Sequence, residues 1–442
     1  MLQKRILIFL KMLLLALLMA INTVYAQKKG YEQSLEICER YYEEGRYDKA
    51  LELCLKTIER TKKSNLKAAV NKLLIYKAKY YEALGNYLNF EASLFECIEQ
   101  REKIYGKESI IYAKGLLDAS HLYLLYTDIA TSEKYLEDAL KVIANFPETN
   151  QDSYFKERTL YIKTMIALAR GLYSEVENKI PALLDVRQKR ITETETQFDE
   201  AVNSFVSVDF NSFQQRRRKR AYAAILTLKG EVSRKIGNYE QAEKDLVAAD
   251  TWIKENLENN GISFVNNEYQ QTLLLLDRGL KIDEAKKKLE KNLFLAERRV
   301  GLVHRDFLKI HESVIDYYIE DRYRRKSNVQ HWEINNNTSK YYGDEKTPHA
   351  VAIRLDAKRD FYIKDFENAE KKLLALYTNS TLVPSNHLER TRVLKQLFDV
   401  SIALDKYIEA QEYLDELLAT QEQILGTNAL DYHYTKIALA TY

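Results

Sequence analysis

The sequence predicts an all-α protein in which short helical hairpins follow one another along the chain. The stretch Leu226–Ala249 carries apolar and small residues at helical spacing, and it predicts two amphipathic helices joined at Gly237. A similar pattern recurs about every 42 residues, which indicates a repeat protein. Four prolines, 13 glycines and 46% hydrophobic residues describe an ordered helical chain rather than a disordered one. We therefore expect a helical solenoid.

The spacing within this hairpin has a steric reason. Helices joined by a tight turn approach closely where they cross, and Gly230 and Ala242 supply the small residues that this requires. Gly237 is placed to end the first helix, because glycine adopts a positive φ without a Cβ clash. Leu246 is expected to face the next hairpin. One hairpin cannot bury its own apolar face, so the motif predicts neighbours.

Neighbouring hairpins emerge when the chain is aligned on Gly237. The turn positions are Gly45, Gly85, Thr127, Gly171, Gly237, Leu280, Arg322, Lys364 and Asp405. A second signal keeps the same phase, because Gly106, Gly301 and Gly426 fall in the links that precede the next helix. The interval between Gly171 and Gly237 is longer than the others by roughly half a repeat, which indicates an insertion.

This hairpin signature resembles the tetratricopeptide repeat (TPR), and the long period resembles the variant found in kinesin light chains and many bacterial multi-repeat proteins. The links REKIYGKESIIYAKGLLDASHLY and AERRVGLVHRDFLKIHESVIDYY are similar to that family's acidic helix end, glycine and new helix. The resemblance covers about Tyr31 to the C-terminus. It implies a right-handed α-solenoid of helix-turn-helix repeats that binds proteins or peptides. It departs at Thr127 and from Leu280 onward, where polar or bulky residues replace the turn glycine.

The repeats define the expected domain organisation. It consists of a signal peptide (1–26), repeats 1–4 (27–190), an inserted helical segment with a basic run (191–220), and repeats 5–9 with a terminal half-repeat (221–442). One repeat is degenerate, at about 304–346, and its Asn-rich stretch Asn335–Pro348 is predicted to be a long exposed loop. At the end, either the last helix caps the solenoid or the natural chain continues past Tyr442.

The N-terminal segment predicts export. Basic residues lie near its start, an apolar run spans Met12–Ile21, and Val24–Ala26 fits a cleavage site of the small-x-Ala type. A retained membrane anchor is the alternative, but the apolar run is shorter than the ~20 residues that span a bilayer. Gln27 and the absence of a following cysteine disfavour a lipoprotein anchor. We expect a periplasmic or envelope-associated protein of a Gram-negative bacterium, with no transmembrane segment after cleavage.

Charge and motifs exclude several classes of function. The formal charge of +2 becomes −1 without Lys4, Arg5 and Lys11, which argues against general nucleic-acid binding. Gly106–Ser109 lacks the upstream glycine of a P-loop, and Ile315 stands where a metalloprotease helix needs its second histidine. The seven histidines are scattered rather than clustered. We therefore predict no enzymatic activity, no cofactor and no metal site.

The chain contains three cysteines, Cys38, Cys54 and Cys97, without metal-ligand spacing. Cys38 and Cys54 occupy facing positions of the first repeat, so an oxidising compartment would permit a disulfide between them. The favoured alternative is that all three are small buried apolar residues.

The groove of TPR relatives is lined by the first helices, and mapping by repeat position gives its candidates here. They are Lys72, Lys79, Lys114, His121, Arg158 and Tyr161, with Met165, Arg234, Arg278, Arg354 and Lys358 at matching positions. This basic and aromatic stripe would suit an acidic or C-terminal peptide segment. The alternative is that these are ordinary solvated side chains. The Asn/Lys carboxylate clamp of chaperone-binding relatives is absent, because its position holds Glu39, Lys79, His121 and Met165.

A basic run ends the insertion and forms a second candidate surface. It comprises Arg216, Arg217, Arg218, Lys219 and Arg220. This run would suit an anionic partner or phospholipid headgroups at the envelope. The alternative is a solvated helix face paired with the upstream acidic residues Glu193, Glu195, Asp199 and Glu200.

These patterns predict a non-enzymatic scaffold that binds protein or peptide partners in the bacterial envelope, with possible peripheral association. One alternative is the N-terminal sensor or scaffold arm of a longer protein, ahead of a CHAT-type peptidase or signalling output domain. Another is a component of an envelope secretion or motility complex, in the manner of TPR proteins of the type IX system.

Overall fold

The protein forms a succession of helical hairpins with one small insertion of strands. The computed structural model describes residues 30–42, 46–64, 66–84, 86–125, 128–146, 153–192, 195–199, 204–208, 212–257, 261–302, 304–317, 347–380, 382–385 and 387–441. The predicted signal peptide lies outside these residues, as does the second half of the degenerate repeat. Of the predicted loop Asn335–Pro348, only Thr347 and Pro348 are described, and they begin a helix rather than end a loop. Proline is favoured there because the first helical turn does not need its missing N–H.

The helices and strands follow one another with short connections. In chain order they are α1 (30–42), α2 (Tyr47–Lys63), α3 (Lys67–Ala83), α4 (Tyr87–Tyr105), α5 (Ile110–Leu125), α6 (Ile129–Ile143), α7 (Ser153–Ala169), α8 (Tyr173–Thr192), β1 (Glu195–Asp199), β2 (Ser204–Val208), α9 (Ser212–Lys235), α10 (Tyr239–Asn256), α11 (Ile262–Asp277), α12 (Ile282–Val300), α13 (Arg305–Tyr317), α14 (Thr347–Tyr362), α15 (Phe366–Thr378), α16 (Leu388–Ala403), α17 (Tyr407–Leu425) and α18 (Leu430–Thr441). Odd-numbered helices up to α13, and then α14, α16 and α18, are first helices of hairpins.

The chain divides into two compact units. The first comprises the residues up to Ala83 together with Asn89–Gln100, and the second comprises Leu84–Leu88 and the residues from Arg101 onward. We call them unit 1 and unit 2.

The hydrophobic clusters of the described residues join helices that follow one another along the chain, so these hairpins bury their apolar faces against their neighbours. In unit 2, Ala167 of α7, Ile180 of α8 and Ile225 of α9 are buried in one cluster. Helices α14 to α16 form an equivalent cluster around Leu373 and Leu397. The prediction that one hairpin requires neighbours is confirmed.

The core of unit 1 contains all three cysteines as free, buried thiols. Burial, followed by the nearby Glu39 carboxylate, raises the pKa of Cys38 to about 12. The Cys54 thiol donates to the Leu73 carbonyl at 3.5 Å. In this structure the cysteines therefore act as small apolar side chains, and Cys38 and Cys54 are not bonded to each other.

The turns confirm the predicted helix ends at four positions. Gly171, Gly237, Lys364 and Asp405 all have positive φ, between 56° and 82°. At Gly237 the next N–H, that of Asn238, donates to the Ser233 carbonyl at 2.9 Å, which closes the helix end. The turn positions Gly45, Gly85, Thr127 and Arg322 lie outside the described residues.

The turn predicted at Leu280 is one residue out of register. Positive φ occurs on either side, at Gly279 and Lys281. The Leu280 N–H donates to the Leu275 carbonyl at 2.9 Å, so Gly279 is the equivalent of Gly237. The turn holds one additional residue before α12 begins at Ile282, and this residue shifted the alignment.

The glycines of the links also end helices. Gly106, Gly301 and Gly426 directly follow α4, α12 and α17, and their φ values are 81°, 84° and 83°. This confirms the prediction that these three glycines lie in the links that precede the next helix.

Gly230 is required where α9 and α10 cross. A Cβ at this position would lie 2.5 Å from Leu246 Cγ, too close for any side chain. The contact partner is therefore Leu246, while Ala242 is fully buried nearby. Leu246 also packs against Leu274 of α11, which confirms that it faces the next hairpin.

The insertion is only partly helical. Helix α8 extends to Thr192, strands β1 and β2 then pair antiparallel with Phe198 opposite Phe205, and α9 begins at Ser212. The expectation of a helical segment over 191–220 is thus wrong for its first half. In β1, Thr196 and Phe198 alternate with more polar residues, and β2 is rich in valine and phenylalanine, both of which favour strands.

Candidate binding surface on the first helices

In unit 1, one predicted groove cation is neutralised and another is exposed. The Lys79 ammonium pairs with Glu39 at 3.0 Å and lies 3.9 Å from the centre of the Tyr42 ring. The Tyr80 hydroxyl donates to the same carboxylate at 3.1 Å. Lys72 is exposed on α3. Lys79 therefore stabilises the contact between α1 and α3.

In unit 2, four predicted groove residues come together on α5 and α7. The Lys114 ammonium lies 4.7 Å from the centre of the Tyr154 ring, and the Arg158 guanidinium pairs with Asp118 at 3.3 Å. The His121 and Tyr161 ring centres are 5.4 Å apart. These contacts join side chains one repeat apart, because α5 and α7 are successive first helices.

Two arginines of α8 complete this surface, and sequence mapping had not included them. The Arg187 guanidinium lies 4.6 Å from the centre of the Tyr161 ring and pairs with Glu157 at 2.7 Å. Arg190 pairs with the other oxygen of Glu157 at 2.5 Å. Burial opposes ionisation of Glu157, but the two guanidinium groups outweigh it and hold the pKa of this carboxyl below its ordinary value.

We call this group the α5–α8 cluster. It comprises Arg101, Lys114, Asp118, His121, Tyr154, Glu157, Arg158, Tyr161, Arg187 and Arg190. As defined, it holds five cationic side chains and two carboxylates. The Nε atom of Arg158 is buried and has no hydrogen-bond partner among the described residues. Met165, further along α7, packs against the α7–α9 core instead.

The predicted groove cations Arg234, on α9, and Arg278, just after α11, each pair with a carboxylate. Arg234 is buried and pairs with Asp277, whereas Arg278 is about one-third exposed and pairs with Glu243 at 2.8 Å.

An ion network with a buried centre occupies the equivalent positions of α13, α14 and α16. Arg354 is 1% exposed and lies between Glu312, at 2.9 Å, and Glu389, which has no exposed surface. Lys358 pairs with Asp316 at 2.6 Å. Burial opposes ionisation of Glu312, but Arg354 and Lys358 hold its pKa well below the ordinary value.

We call this group the α13–α16 network. Its members are Glu312, Asp316, Arg354, Lys358, Glu389 and Arg392. It contains three carboxylates and three cations, so its charges balance. Two predicted groove cations, Arg354 and Lys358, are therefore internal members of an ion network.

The carboxylate partners follow a rule that the sequence contains. Glu39 and Lys79 are 40 residues apart, Asp118 and Arg158 are 40 apart, and Glu312 and Arg354 are 42 apart. Opposite charges separated by one repeat therefore mark pairs between successive first helices. This signal would have identified the partners of the predicted cations.

The predicted basic run is divided between surface and interior. Arg216 and Arg217 are exposed at the start of α9, and Arg218, Lys219 and Arg220 are half-buried. The Arg218 guanidinium donates to the Arg190 carbonyl, which ties α9 to the end of α8. The side chains of the upstream acidic residues lie outside the described part of the chain.

The described part of the chain also bears on metals and membranes. Within it, no group of three or more histidine, cysteine, aspartate or glutamate side chains is arranged to hold a metal ion. None of its helices is both long enough and apolar enough to cross a bilayer.

Comparisons with known proteins place the fold. No family model matches the sequence. No curated protein matches it. Among solved structures, a Rap protein complexed with competence and sporulation factor is 11% identical, with 90% of this chain and 99% of that chain covered and a TM-score of 0.56.

Two further solved structures share less of the geometry. The P58(IPK) TPR domain is 12% identical, with 92% of this chain and 99% of that chain covered and a TM-score of 0.23. A Podosopora anserina protein named for kinesin light chain, with nearly identical TPR-like repeats, is 16% identical, with 47% and 94% covered and a TM-score of 0.32. The fold of this chain is an all-α solenoid of TPR-type hairpins, as its likeness to the Rap protein and its own hairpins show.

Proposed function

We propose that this protein is a non-enzymatic scaffold that binds a protein or peptide partner through the α5–α8 cluster in the bacterial envelope. The observation that carries the proposal is the array of cationic side chains in this cluster, interleaved with aromatic rings. The Rap protein that shares the fold is itself complexed with competence and sporulation factor, which supports a partner-binding role for the fold.

The chemistry of the cluster indicates an acidic partner segment. Guanidinium groups bind carboxylates through paired, charge-assisted hydrogen bonds, and the rings of Tyr154 and Tyr161 add flat apolar area beside them. Aspartate and glutamate side chains, or a C-terminal carboxylate, meet these requirements. The helices hold the groups in place before binding, so little ordering of the scaffold is needed.

The envelope location rests on the predicted signal peptide. Cleavage after Ala26 would release the mature chain into the periplasm. Mass spectrometry of the N-terminus of protein purified from the periplasmic fraction tests this part, and a mature N-terminus at Met1 would contradict it.

A crosslinking pull-down from intact cells tests the binding surface. We expect the wild-type chain to capture a partner that is lost when Lys114 and Arg158 are changed to Glu. Lys72→Glu is the matched control, because it reverses an exposed lysine of unit 1. Circular dichroism checks that each variant is folded. An identical set of partners for the double variant and the wild type would contradict the proposed surface.

One observation favours participation in an envelope complex as a second function. Arg216 and Arg217 are exposed together at the start of α9, where an anionic partner or phospholipid headgroups can reach them. We expect co-purification with membrane complexes to fall when both are changed to Glu. Unchanged co-purification of that variant would remove this function and leave the α5–α8 cluster as the candidate surface.

A further inference from the structure

An arginine beyond the end of α7 joins three distant parts of unit 2. The Arg170 guanidinium forms a two-pronged pair with Glu133 of α6, at 2.6 and 2.7 Å. Its Nε donates to the carbonyl of Ile424 near the end of α17, at 3.3 Å. Arg170 and Ile424 are 254 residues apart in the sequence, so this contact is not made between neighbouring repeats.

The contact provides a hydrogen-bond donor to a carbonyl in the last turn of α17. The last four carbonyls of a helix lack partners within that helix, and a cation near this end is favoured by the helix dipole. Ile424 belongs to this last turn, since α17 ends at Leu425. Arg170 therefore caps α17 from another repeat.

Two further contacts lie beside this cap. The α-carbon of Gly171 is so placed that a Cβ would lie 3.9 Å from the backbone nitrogen of Leu430, the first residue of α18. Burial, followed by the Asp431 and Glu231 carboxylates, raises the pKa of Tyr173 to about 12. The α7–α8 turn thus lies against both the end of α17 and the start of α18.

We propose that these contacts form a clasp, defined as Glu133 and Arg170–Tyr173 against Ile424–Asp431, and that partner binding on α7 is linked to its closure. The clasp has two states. In the closed state, which is that of this structure, Arg170 caps α17 and α18 is held against the α7–α8 turn. In the open state both contacts are lost.

The link runs through α7, and it rests on the proposed function. This helix carries Arg158 and Tyr161 of the α5–α8 cluster, and Arg170 follows its last residue. A helix moves as a rigid element, so a partner that fixes the position of α7 also fixes the position of Arg170. By linkage, closing the clasp then favours partner binding, and binding favours the closed clasp.

Amide hydrogen exchange on the full mature chain tests the clasp. We expect Arg170→Ala to speed exchange of the hydrogen-bonded amides of α18, from His433 onward, about tenfold, because opening this region no longer breaks the cap. Arg170→Lys should restore part of the protection, since it keeps a cation near the Ile424 carbonyl. Arg278→Ala is the matched control, because Arg278 forms an ion pair with Glu243 of α10. Equal exchange in Arg170→Ala and wild type would overturn the clasp.

Binding of a hexaglutamate peptide, followed by fluorescence anisotropy, tests the link. We expect Arg170→Ala to weaken binding about fivefold, the lower end of typical coupling between sites. The peptide should slow exchange of α18 in the wild type and leave it unchanged in Arg170→Ala. Equal affinities and no effect of the peptide on α18 would overturn the link and leave the proposed function standing. No binding to the wild type would overturn the proposed function and the link together.

Discussion

The α5–α8 cluster and the α13–α16 network are both centred on successive first helices of unit 2, yet they differ in charge. In the network, three carboxylates meet three cations, and Arg354 is 1% exposed between two of the carboxylates. In the cluster, four arginines pair with Asp118 and Glu157, and Lys114 lies over the Tyr154 ring. The same repeat position thus holds a charge-balanced ion network in one place, and in the other it holds the cationic and aromatic side chains through which we propose that a partner binds.

The largest expected effect concerns the network. We expect Arg354→Met to lower the free energy of unfolding by about 3–5 kcal/mol, because it removes the buried cation between Glu312 and Glu389 and leaves Glu389 with Arg392 alone. Urea unfolding followed by circular dichroism at pH 7 measures this. Arg278→Met is the control, and its exposed pair predicts a change of about 0–1 kcal/mol. Equal unfolding midpoints for Arg354→Met and wild type would show that the network is not structural.

Acid should destabilise both the network and the cluster. The pKa values of Glu312 and Glu157 are both depressed, so their stabilisation is present above the unfolded pKa, near 4.5, and is lost as the pH falls below it. We therefore expect Glu312→Gln and Glu157→Gln each to flatten the acid decline of the unfolding free energy, measured between pH 7 and pH 3. An unchanged decline in either variant would show that its carboxylate does not supply this stabilisation.

The affinity for hexaglutamate should depend on the cluster rather than on the network. We expect Arg158→Gln to weaken hexaglutamate binding about tenfold, as for the loss of one charge-assisted hydrogen bond. Lys358→Gln, the matched change in the network, should leave the affinity unchanged. Titration by fluorescence anisotropy measures both variants. A comparable loss in Lys358→Gln would mean that the network also contacts the partner.

The smallest expected effect separates charge from shape within the cluster. Arg187→Lys keeps the cation but loses the planar group that lies 4.6 Å from the Tyr161 ring centre. Such a contact contributes about 0.5–1 kcal/mol, so we expect the free energy of unfolding to fall by about that amount in urea unfolding. An unchanged unfolding midpoint would indicate that only the charge of Arg187 matters.

Local patterns predicted the fold well where one residue type determines the geometry. Gly237 and the link glycines mark helix ends, since few other residues adopt positive φ. The alignment failed at Leu280, because an additional turn residue separates Gly279 from the next helix start. Strand β1 was missed because the insertion was assigned to helix by analogy with its surroundings, although its residues alternate with a period of two.

The candidate site could be predicted only in part. Lys114 and Arg158 follow from repeat position, but their availability depends on carboxylates contributed by other repeats. Arg187 was missed because it lies on a second helix, away from the positions that were mapped. The clasp at Arg170 depends on how far the repeats turn before α17 returns to α7, and no local pattern contains that information.

The clasp also bears on how unit 2 unfolds. In an open solenoid each repeat touches only its neighbours, so the last repeats fray first and melting spreads inward from the end. Here, fraying of the end of α17 removes the cap that Arg170 places on Ile424, and loss of α18 removes the contact of Leu430 with the α7–α8 turn. Fraying of the terminal hairpin is thereby coupled to a repeat in the middle of the chain. We expect the helices between α7 and α17 to melt in a single cooperative transition, with coincident curves from probes placed at each end of that span.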